Sequence, residues 1–255
     1  MSNNPQKTIR PSLQSEGTGE SLYEDNHVII VAKSAGEIVQ GDKTGDTPLS
    51  ETVKAYIKER YAKPGEVFLG VVHRLDRPVS GVVVFARTSK ALTRLNEMFR
   101  NGAVKKTYWA LVQNAPREPE ATLTHYIVRN EKQNKSYAYD HERPGAKRAV
   151  LDYRVIGHSD RYHLLEVHLH TGRHHQIRCQ LAAIGCPIRG DLKYGAPRSN
   201  PDGSISLHAR SISFEHPVSH KQIYVEAPVP DEGPWRAFTD VSQVEAEHSE
   251  PKNAI

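Results

Sequence analysis

Two apolar, β-branched runs flank a short charged segment in the first third of the chain. Gly70-Val-Val72 and Gly81-Val-Val-Val-Phe-Ala86 both have the composition of buried strands. The carboxylate of Asp76 lies between them at a strand exit, with one arginine two residues before it and another directly after it. Loops held by rigid strands often carry catalytic groups, whereas a salt-bridged turn is the commoner role for such a segment. Asp76 is therefore the first candidate for chemistry, and the turn is the alternative.

Hydrophobic periodicity predicts further strands and three helices along the rest of the chain. The predicted strands are Val28–Ala32, Lys106–Val112, pieces around Thr122–Val128 and Tyr137–Tyr139, and Tyr162–His170. The predicted helices are Ser50–Tyr61, a segment capped by Thr88 or Ser89 that ends at Asn101-Gly102, and one that directly follows Thr171-Gly172 and ends at Gly185. Alternation along the second strand turns Tyr108 toward the core. In the last helix Arg178 lies off the apolar side, so it can point into a cleft.

The two ends of the chain differ in composition from the middle. Residues 1–22 are polar and predict a disordered leader, and residues 239–255 are acidic and predict a disordered tail, which leaves 23–238 as one folded domain. No apolar run reaches the length of a membrane span, and the N-terminus lacks the apolar core of a signal peptide. We therefore expect a cytoplasmic protein without a membrane partner.

The two cysteines agree with a cytoplasmic location. Cys179 and Cys186 lie seven residues apart on the predicted last helix, an axial separation of about 10 Å, which is too far for a disulfide. We predict that both are buried thiols.

Charge is distributed unevenly along the chain. The whole chain carries +4, the first 26 residues −2 and the last 30 residues −5, which leaves +11 for residues 27–225. An excess of this size favours a polyanionic partner. Nucleic acid is favoured over an anionic membrane because no amphipathic anchoring helix is evident.

Part of this positive charge is concentrated on the second predicted helix and the residues that follow it. Residues 87–106 hold a net +5 and include Arg94, Arg100 and Lys106, which predicts phosphate contacts, with a solvated helix face as the alternative. Lys33, after the first strand, could reach a phosphate, and a solvent-facing position is favoured for it.

Four histidines occur within residues 168–175 and raise the question of a metal site. The spacing is compatible with metal ligands, but no cysteine and few acidic residues accompany them, and Arg173 and Arg178 would repel a cation. The sequence therefore predicts no metal, and a metal-dependent nuclease stays as an alternative function.

Four motifs, in order along the chain, resemble those of the RluA-type RNA pseudouridine synthases. His73-Arg-Leu-Asp-Arg-Pro-Val-Ser-Gly81 resembles HRLDxxTSG, Lys106-Thr-Tyr-Trp-Ala-Leu-Val112 resembles KxYxALV, Thr171–Arg178 with Gly185–Gly195 resembles TGRxHQIRxHLxxxGxPIxGDxxYG, and Leu207-His-Ala209 resembles LHA. The resemblance covers roughly residues 23–227. The departures are Ala32-Lys-Ser-Ala-Gly36 for NKPxG, Val79 for a threonine and Gln180 for a histidine. We see no basic helical S4-like module before Tyr23, so a stand-alone catalytic domain is expected.

The resemblance implies an α+β fold, with a mixed, mainly antiparallel sheet split around a catalytic cleft. It implies isomerisation of uridine to pseudouridine in ribosomal or transfer RNA, without a cofactor because there is no net redox change. Asp76 would act as nucleophile at C1′ or assist glycal formation. Arg178 would pair with Asp76 and keep it ionised and aimed, and Tyr108 would stack on the base and help to remove the C5 proton.

The resemblance also implies a set of RNA contacts. Arg74 would fill the gap that the flipped nucleotide leaves. The other residues predicted to bind the substrate are His73, Lys33, Arg94, Arg100, Lys106 and Arg173. A non-catalytic RNA-binding protein is the second alternative function. The target uridine and the oligomeric state stay open, with a monomer as the simplest expectation.

Overall fold

A computed structural model describes residues 21–238, which form eleven strands and three α-helices. The strands are β1 (Ser21–Glu24), β2 (Val28–Lys33), β3 (Gly70–Val71), β4 (Ser80–Ala86), β5 (Lys105–Val112), β6 (Glu120–Asn130), β7 (Lys135–Tyr139), β8 (Lys147–His158), β9 (His163–Leu169), β10 (Leu207–Glu215) and β11 (Gln222–Glu226). The helices are α1 (Leu49–Arg60), α2 (Ser89–Arg100) and α3 (Gln176–Ala183), with short 3₁₀ helices at Leu192–Tyr194 and Gly233–Phe238. The predicted α+β class is confirmed.

Residues 21–238 form two compact units. The first contains residues 21–77, Gly81–Val104 and Ser211–Ala227; the second contains Pro78–Ser80, Lys105–Arg210 and residues 228–238. The chain changes unit inside the Asp76 motif and inside β10, without a Pro- or Gly-rich linker. Composition therefore gave no signal for this boundary.

The first unit is built around β2 and β4. All six residues of β2 pair antiparallel with β4, from Val28 opposite Ala86 to Lys33 opposite Gly81, and β1 pairs with the other side of β2. The second half of β10 pairs with β11. Valine and isoleucine side chains from these strands pack with Leu95 of α2 in one buried cluster. Because β2 and β4 are buried, the ends of these strands hold the Asp76 segment firmly.

The second unit contains an antiparallel series of strands in the order β5-β9-β8-β6-β7. Trp109 and Leu111 of β5 pack with Trp235 and Phe238 of the last 3₁₀ helix. A separate cluster joins Ile127 of β6 and Ala149 of β8 to Cys179 and Tyr194. This second cluster anchors α3, the helix that carries Arg178.

Most predicted elements occur within a few residues of their predicted bounds, and two differences have clear reasons. β1 begins at Ser21, inside the predicted leader, because Leu22 packs against the core of the first unit. α3 begins only at Gln176, because the residues before it form a turn in which His175 has a left-handed backbone with φ of 53°. Gly185 ends the helix region with φ of 78°, as predicted. The remaining leader (1–20) and the tail (239–255) lie outside the described residues.

Three strands were not predicted as such. No strand was predicted over β8 or β11, and within β10 only the short LHA match was noted. In β8 the buried residues alternate poorly, since several consecutive positions are covered, which hides the period of two.

Both cysteines are buried free thiols, as predicted. They do not share a helix, however, because α3 ends at Ala183 and Cys186 follows the turn at Gly185. Burial raises the pKa of both thiols, so they are protonated at neutral pH. Within residues 21–238, no helix has the length and apolar character needed to cross a membrane.

A carboxylate fixes the turn between β1 and β2. Asp25 accepts hydrogen bonds from the main-chain amides of His27 (2.7 Å) and Val28 (2.8 Å) and from the Tyr23 hydroxyl (2.9 Å). The Nε2 atom of buried His216 lies 2.8 Å from the same carboxylate. Burial alone would raise the pKa of Asp25, but these hydrogen bonds and the nearby His216 outweigh it and lower the pKa.

We expect Asp25→Asn to lower the free energy of unfolding by about 1–3 kcal/mol at neutral pH, because several buried donors lose a charged acceptor. A carboxylate whose pKa is lowered by folding stabilises the protein above its unfolded pKa, and this contribution is lost as the pH falls through the folded pKa. The difference between parent and variant should therefore shrink as urea unfolding is repeated from about pH 7 to about pH 3. Asp160→Asn, at an exposed position, is the control. A pH-independent difference would contradict this assignment.

Candidate active site

The segment that carries Asp76 connects β3 to β4, and a buried lysine forms hydrogen bonds to its backbone. Lys33, at the end of β2, is 2% exposed. Its ammonium group donates to three main-chain carbonyl oxygens, those of Ser34 (3.0 Å), Arg77 (3.1 Å) and Asp76 (3.4 Å). The amide of Gly36 also donates to the Arg77 carbonyl at 2.8 Å. The backbone at Asp76 is thus held by contacts that do not involve its own carboxylate.

The favoured solvent-facing position of Lys33 is therefore wrong. A strand end is usually exposed, but here the following loop folds over the ammonium group and supplies its acceptors. Burial is the main reason that its pKa falls to about 8, and Arg77 lowers it further, while Glu37 and Asp76 act in the opposite direction. With its donors directed at carbonyl oxygens, Lys33 is better suited to supporting the loop than to binding phosphate.

His73, at the other side of the loop, also has an internal role. Its Nε2 atom accepts a hydrogen bond from the Val84 amide at 3.0 Å, and its ring stacks on Phe99 at a centroid distance of 4.8 Å. This fixes the start of the motif on β4 and α2. It favours a supporting role for His73 over the RNA contact that the sequence predicted.

The two arginines beside Asp76 have different environments. Arg77 donates to Asp46 at 2.7 Å and to the Thr44 hydroxyl at 2.8 Å, so the salt-bridged turn expected as the alternative does exist, but it belongs to Arg77. Arg74 is exposed. Its position is compatible with the predicted contact to RNA, which stays a prediction.

The residues that follow Asp76 in the motif are held by the second unit. The amide of Ile205 donates to the Pro78 carbonyl at 3.0 Å, and the Ser80 hydroxyl lies 2.8 Å from Nδ1 of His208. His208, 2% exposed, is the histidine of the LHA motif. The LHA match therefore corresponds to a contact with the Asp76 motif.

Tyr108 and Lys106 lie on β5 in the second unit. Tyr108 is 9% exposed, and its backbone pairs with Val167 of β9. Lys106 is half-buried, and burial lowers its pKa. A side chain at Gly172 would come within 3.8 Å of the Lys106 ammonium group, which places this lysine beside the TGR motif.

Arg178 is buried on α3 and forms a two-pronged ion pair. Its Nε atom donates to Oδ2 of Asp191 at 2.7 Å, and its Nη2 atom donates to Oδ1 at 2.8 Å. The guanidinium carbon also lies 5.1 Å from the centre of the Tyr194 ring. Asp191 lies in one of the sequence motifs, but no role was predicted for it. The signal available was an aspartate directly after a glycine within a motif that also contains the arginine.

Asp191 and Tyr194 come from one tight turn. The Asp191 carbonyl accepts hydrogen bonds from the amides of Tyr194 and Ala196, both at 3.0 Å. Gly190 precedes the turn with φ of 86°, and a Cβ atom there would lie 2.7 Å from the Ser204 carbonyl oxygen. Only glycine fits this position, and it sets the direction of the Asp191 side chain.

The remaining residues predicted to bind RNA differ in accessibility. Arg100 is exposed at the end of α2, but Arg94 is partly buried and donates to the Pro217 carbonyl at 2.5 Å. Arg173 is exposed and donates to the Arg148 carbonyl at 3.1 Å. The surface of α2 therefore offers fewer accessible cations than its sequence indicates, because Arg94 is bound to the protein itself.

The histidines of residues 168–175 are bound to separate protein partners. His168 contacts Glu166 and His170 contacts Asp152, and the next two contact Ser136 and the Tyr194 hydroxyl. Glu166 lies two residues before His168 on β9, whereas Asp152 comes from β8 and is eighteen residues from His170 in the sequence. In residues 21–238 no group of three or more possible ligands is arranged to hold a metal ion.

Comparison with known proteins identifies the family. A family model described as RNA pseudouridylate synthase matches residues 27–183, which include Asp76, Tyr108 and Arg178. The chain belongs to the RNA pseudouridylate synthase family. It is therefore an isomerase that converts uridine in RNA to pseudouridine, as the motifs predicted.

Individual relatives agree with this assignment. The chain is 33% identical over 217 residues to an uncharacterized RNA pseudouridine synthase of Bacillus subtilis, covering 84% of this chain and 70% of the relative. It is 35% identical over 225 residues to ribosomal large subunit pseudouridine synthase D of Xanthomonas campestris, covering 83% and 66%. The solved structure of human RNA pseudouridylate synthase domain containing 4 matches with a TM-score of 0.69 at 23% identity, over 89% of this chain and 92% of that one, and this likeness supports the fold.

The environment of Lys33 leads to a pH prediction. Because its pKa is about 8, we expect single-turnover pseudouridine formation to fall with a midpoint near pH 8 as the ammonium group loses a donor. Folding lowers this pKa from 10.5, so Lys33 costs stability below pH 8 and the cost diminishes as the pH rises. Deprotonation of Lys33 therefore does not destabilise the folded protein, and unfolding does not explain the expected loss of activity. Lys33→Arg, which stays charged, should lack this midpoint at whatever rate it retains. The same midpoint in the arginine variant would contradict the role of Lys33.

Proposed function

We propose that the chain modifies a uridine in the RNA of the large ribosomal subunit. The observation that carries this proposal is the 35% identity to a synthase named for that subunit, which extends across 83% of this chain. The excess of +11 over residues 27–225 suits a highly structured polyanion such as ribosomal RNA. Transfer RNA, the other target class considered from the sequence, becomes an outcome of the test below. We propose a cytoplasmic location, which is consistent with ribosomal RNA as the substrate.

The reaction exchanges one bond of the uracil for another. The N1–C1′ bond breaks, the base turns, and a C5–C1′ bond forms; the C5 proton is lost and N1 gains one. Atoms and electrons balance within the substrate, so the chemistry requires acid–base and nucleophilic groups only. Asp76 is the carboxylate that we assign to C1′, either as nucleophile or in assisting glycal formation. The contacts of Lys33 with the loop backbone support this assignment, because they fix the position of the Asp76 backbone.

Two residues of the second unit complete the proposed chemistry. We assign Arg178 to the Asp76 carboxylate, which it would keep ionised and oriented. We assign Tyr108 to stacking on the uracil and to removal of the C5 proton. A buried tyrosine and a buried arginine, both on well-packed elements, have the low mobility that such positioning requires.

RNA binding is proposed to use cations of both units, of which Lys106 and Arg94 are half-buried and the others are exposed. Arg74 is assigned to the gap left by the flipped nucleotide, and Arg100, Lys106 and Arg173 to the phosphate backbone. Arg94 is assigned a weaker contribution, since its guanidinium group already binds the Pro217 carbonyl.

Mapping of pseudouridine in total RNA, from cells with and without the gene, tests the target. We expect at least one site in large-subunit ribosomal RNA to disappear and to return when the parent gene is restored. The reason is that pseudouridine synthases act on defined uridines, so each modified position depends on its own enzyme. Loss confined to transfer RNA would overturn the ribosomal assignment while leaving the family activity intact.

Substitution of Asp76 tests the catalytic assignment. Asp76→Asn keeps the shape but removes the charge, and Asp76→Glu keeps the charge but displaces it by one methylene. A misplacement of about 1 Å can cost roughly a hundredfold in rate. Both variants should bind RNA with near-parental affinity and lose at least about a hundredfold in single-turnover pseudouridine formation.

The control is Asp46→Asn, which removes a carboxylate that binds the neighbouring Arg77. It should retain activity within about tenfold, because the backbone contacts of Lys33 are still present. If Asp76→Asn also turns over within tenfold of the parent, Asp76 is a structural residue and the assignment fails.

A further inference from the structure

We infer that Asp191 and Tyr194 are positioning residues that hold the Arg178 guanidinium for its action on Asp76. This inference rests on the proposed pairing of Arg178 with Asp76. It adds two residues to the catalytic apparatus that neither the motif roles nor the family assignment supplies. Arg178, Asp191 and Tyr194 all lie in the second unit.

Asp191 restrains the Arg178 guanidinium group within its own plane. Asp191 binds it through Nε and Nη2, at 2.7 and 2.8 Å, and two parallel charge-assisted hydrogen bonds fix both position and rotation in that plane. Asp191 is 1% exposed and Arg178 5%, so water does not compete for these contacts.

Tyr194 restrains motion of the Arg178 guanidinium group out of its plane. The Tyr194 ring lies 5.1 Å from the guanidinium carbon and limits movement in that direction. The ring is itself fixed, because its hydroxyl oxygen accepts a hydrogen bond from the Ser136 amide at 2.8 Å and lies 2.9 Å from Nδ1 of His175. The arginine is thus confined along its edge and on its face by one turn of the chain.

The ion pair between Arg178 and Asp191 is buried on both sides. A buried ion pair contributes little net stability, because the cost of removing both charges from water offsets their attraction. Pairs of this kind can instead define one geometry. A role in orientation explains the combination of a buried carboxylate, a buried arginine and an aromatic face better than a role in stability alone.

The test measures single-turnover pseudouridine formation as a function of RNA concentration. Asp191→Asn should lower the rate at saturating RNA by roughly 10- to 100-fold with the half-saturating RNA concentration unchanged, because the arginine is misplaced by a fraction of an ångström to about 1 Å. Asp191→Asn and Arg178→Ala together should be no slower than Arg178→Ala alone, because Asp191 acts through Arg178. Additive losses would overturn the inference.

Chemical rescue supplies a readout that a purely structural role would not change. Arg178→Ala leaves a site lined by Asp191 and Tyr194, and guanidinium ion, at up to about 50 mM and below denaturing concentrations, should restore part of the rate saturably. The rescue should be absent in Arg178→Ala with Asp191→Asn. Equal rescue in both backgrounds, or none in either, would contradict the inference.

Two further variants keep the result decisive. Glu166→Gln is the matched control, since Glu166 also pairs with an arginine of the second unit, Arg154 at 3.2 Å, and it should leave the rate within about twofold. If Asp191→Asn does not fold, Tyr194→Leu replaces it in the test. This variant keeps the ion pair between Asp191 and Arg178. It should lower the rate at saturating RNA and weaken the rescue by guanidinium ion. A folded Tyr194→Leu with parental rate and rescue would overturn the inference. Turnover of Asp76→Asn within about tenfold of the parent would instead overturn the proposed catalytic assignment, so the two failures are distinguishable.

Discussion

The cost of burying charge is the constraint on which the proposed catalytic apparatus depends. A cation removed from water must be surrounded by oxygen atoms, and those oxygens must be held in place. Lys33 meets this requirement with carbonyl groups of the segment that carries Asp76, and Arg178 meets it with the carboxylate of Asp191. In both cases the electrostatic requirement of one side chain fixes the geometry of another part of the chain. In each unit, the position of the buried cation therefore determines which segment of the chain is held in a fixed geometry.

Much of this organisation could be predicted from local sequence. The apolar runs on either side of Asp76 are strands, and Thr88 caps α2 by accepting from the Ala91 amide at 3.2 Å, because these outcomes follow from residue type and spacing. Catalytic roles came from motif resemblance, since neither periodicity nor charge distinguishes Asp76 from an ordinary turn aspartate. The family assignment rests on the match over residues 27–183 and on the similarity to named relatives.

Other features depend on contacts between residues far apart in the chain and had no local signal. Lys33 is buried only because a loop more than forty residues later closes over it, and Arg94 is bound by a carbonyl from beyond residue 210. Asp191 meets Arg178 because a glycine with positive φ and the turn after it direct its side chain inward. The division into two units is equally non-local, since the chain passes from one to the other inside continuous elements.

The burial of both cysteines has a practical consequence for studying how the enzyme engages RNA. Cys179 and Cys186 are shielded and protonated, so thiol-reactive probes at neutral pH will react with them slowly. A single cysteine introduced at an exposed position of each unit can then be labelled in an otherwise unaltered protein. Pairs of fluorophores or spin labels attached in this way would report the distance between the units in solution, before and after RNA is added, without removal of either native thiol.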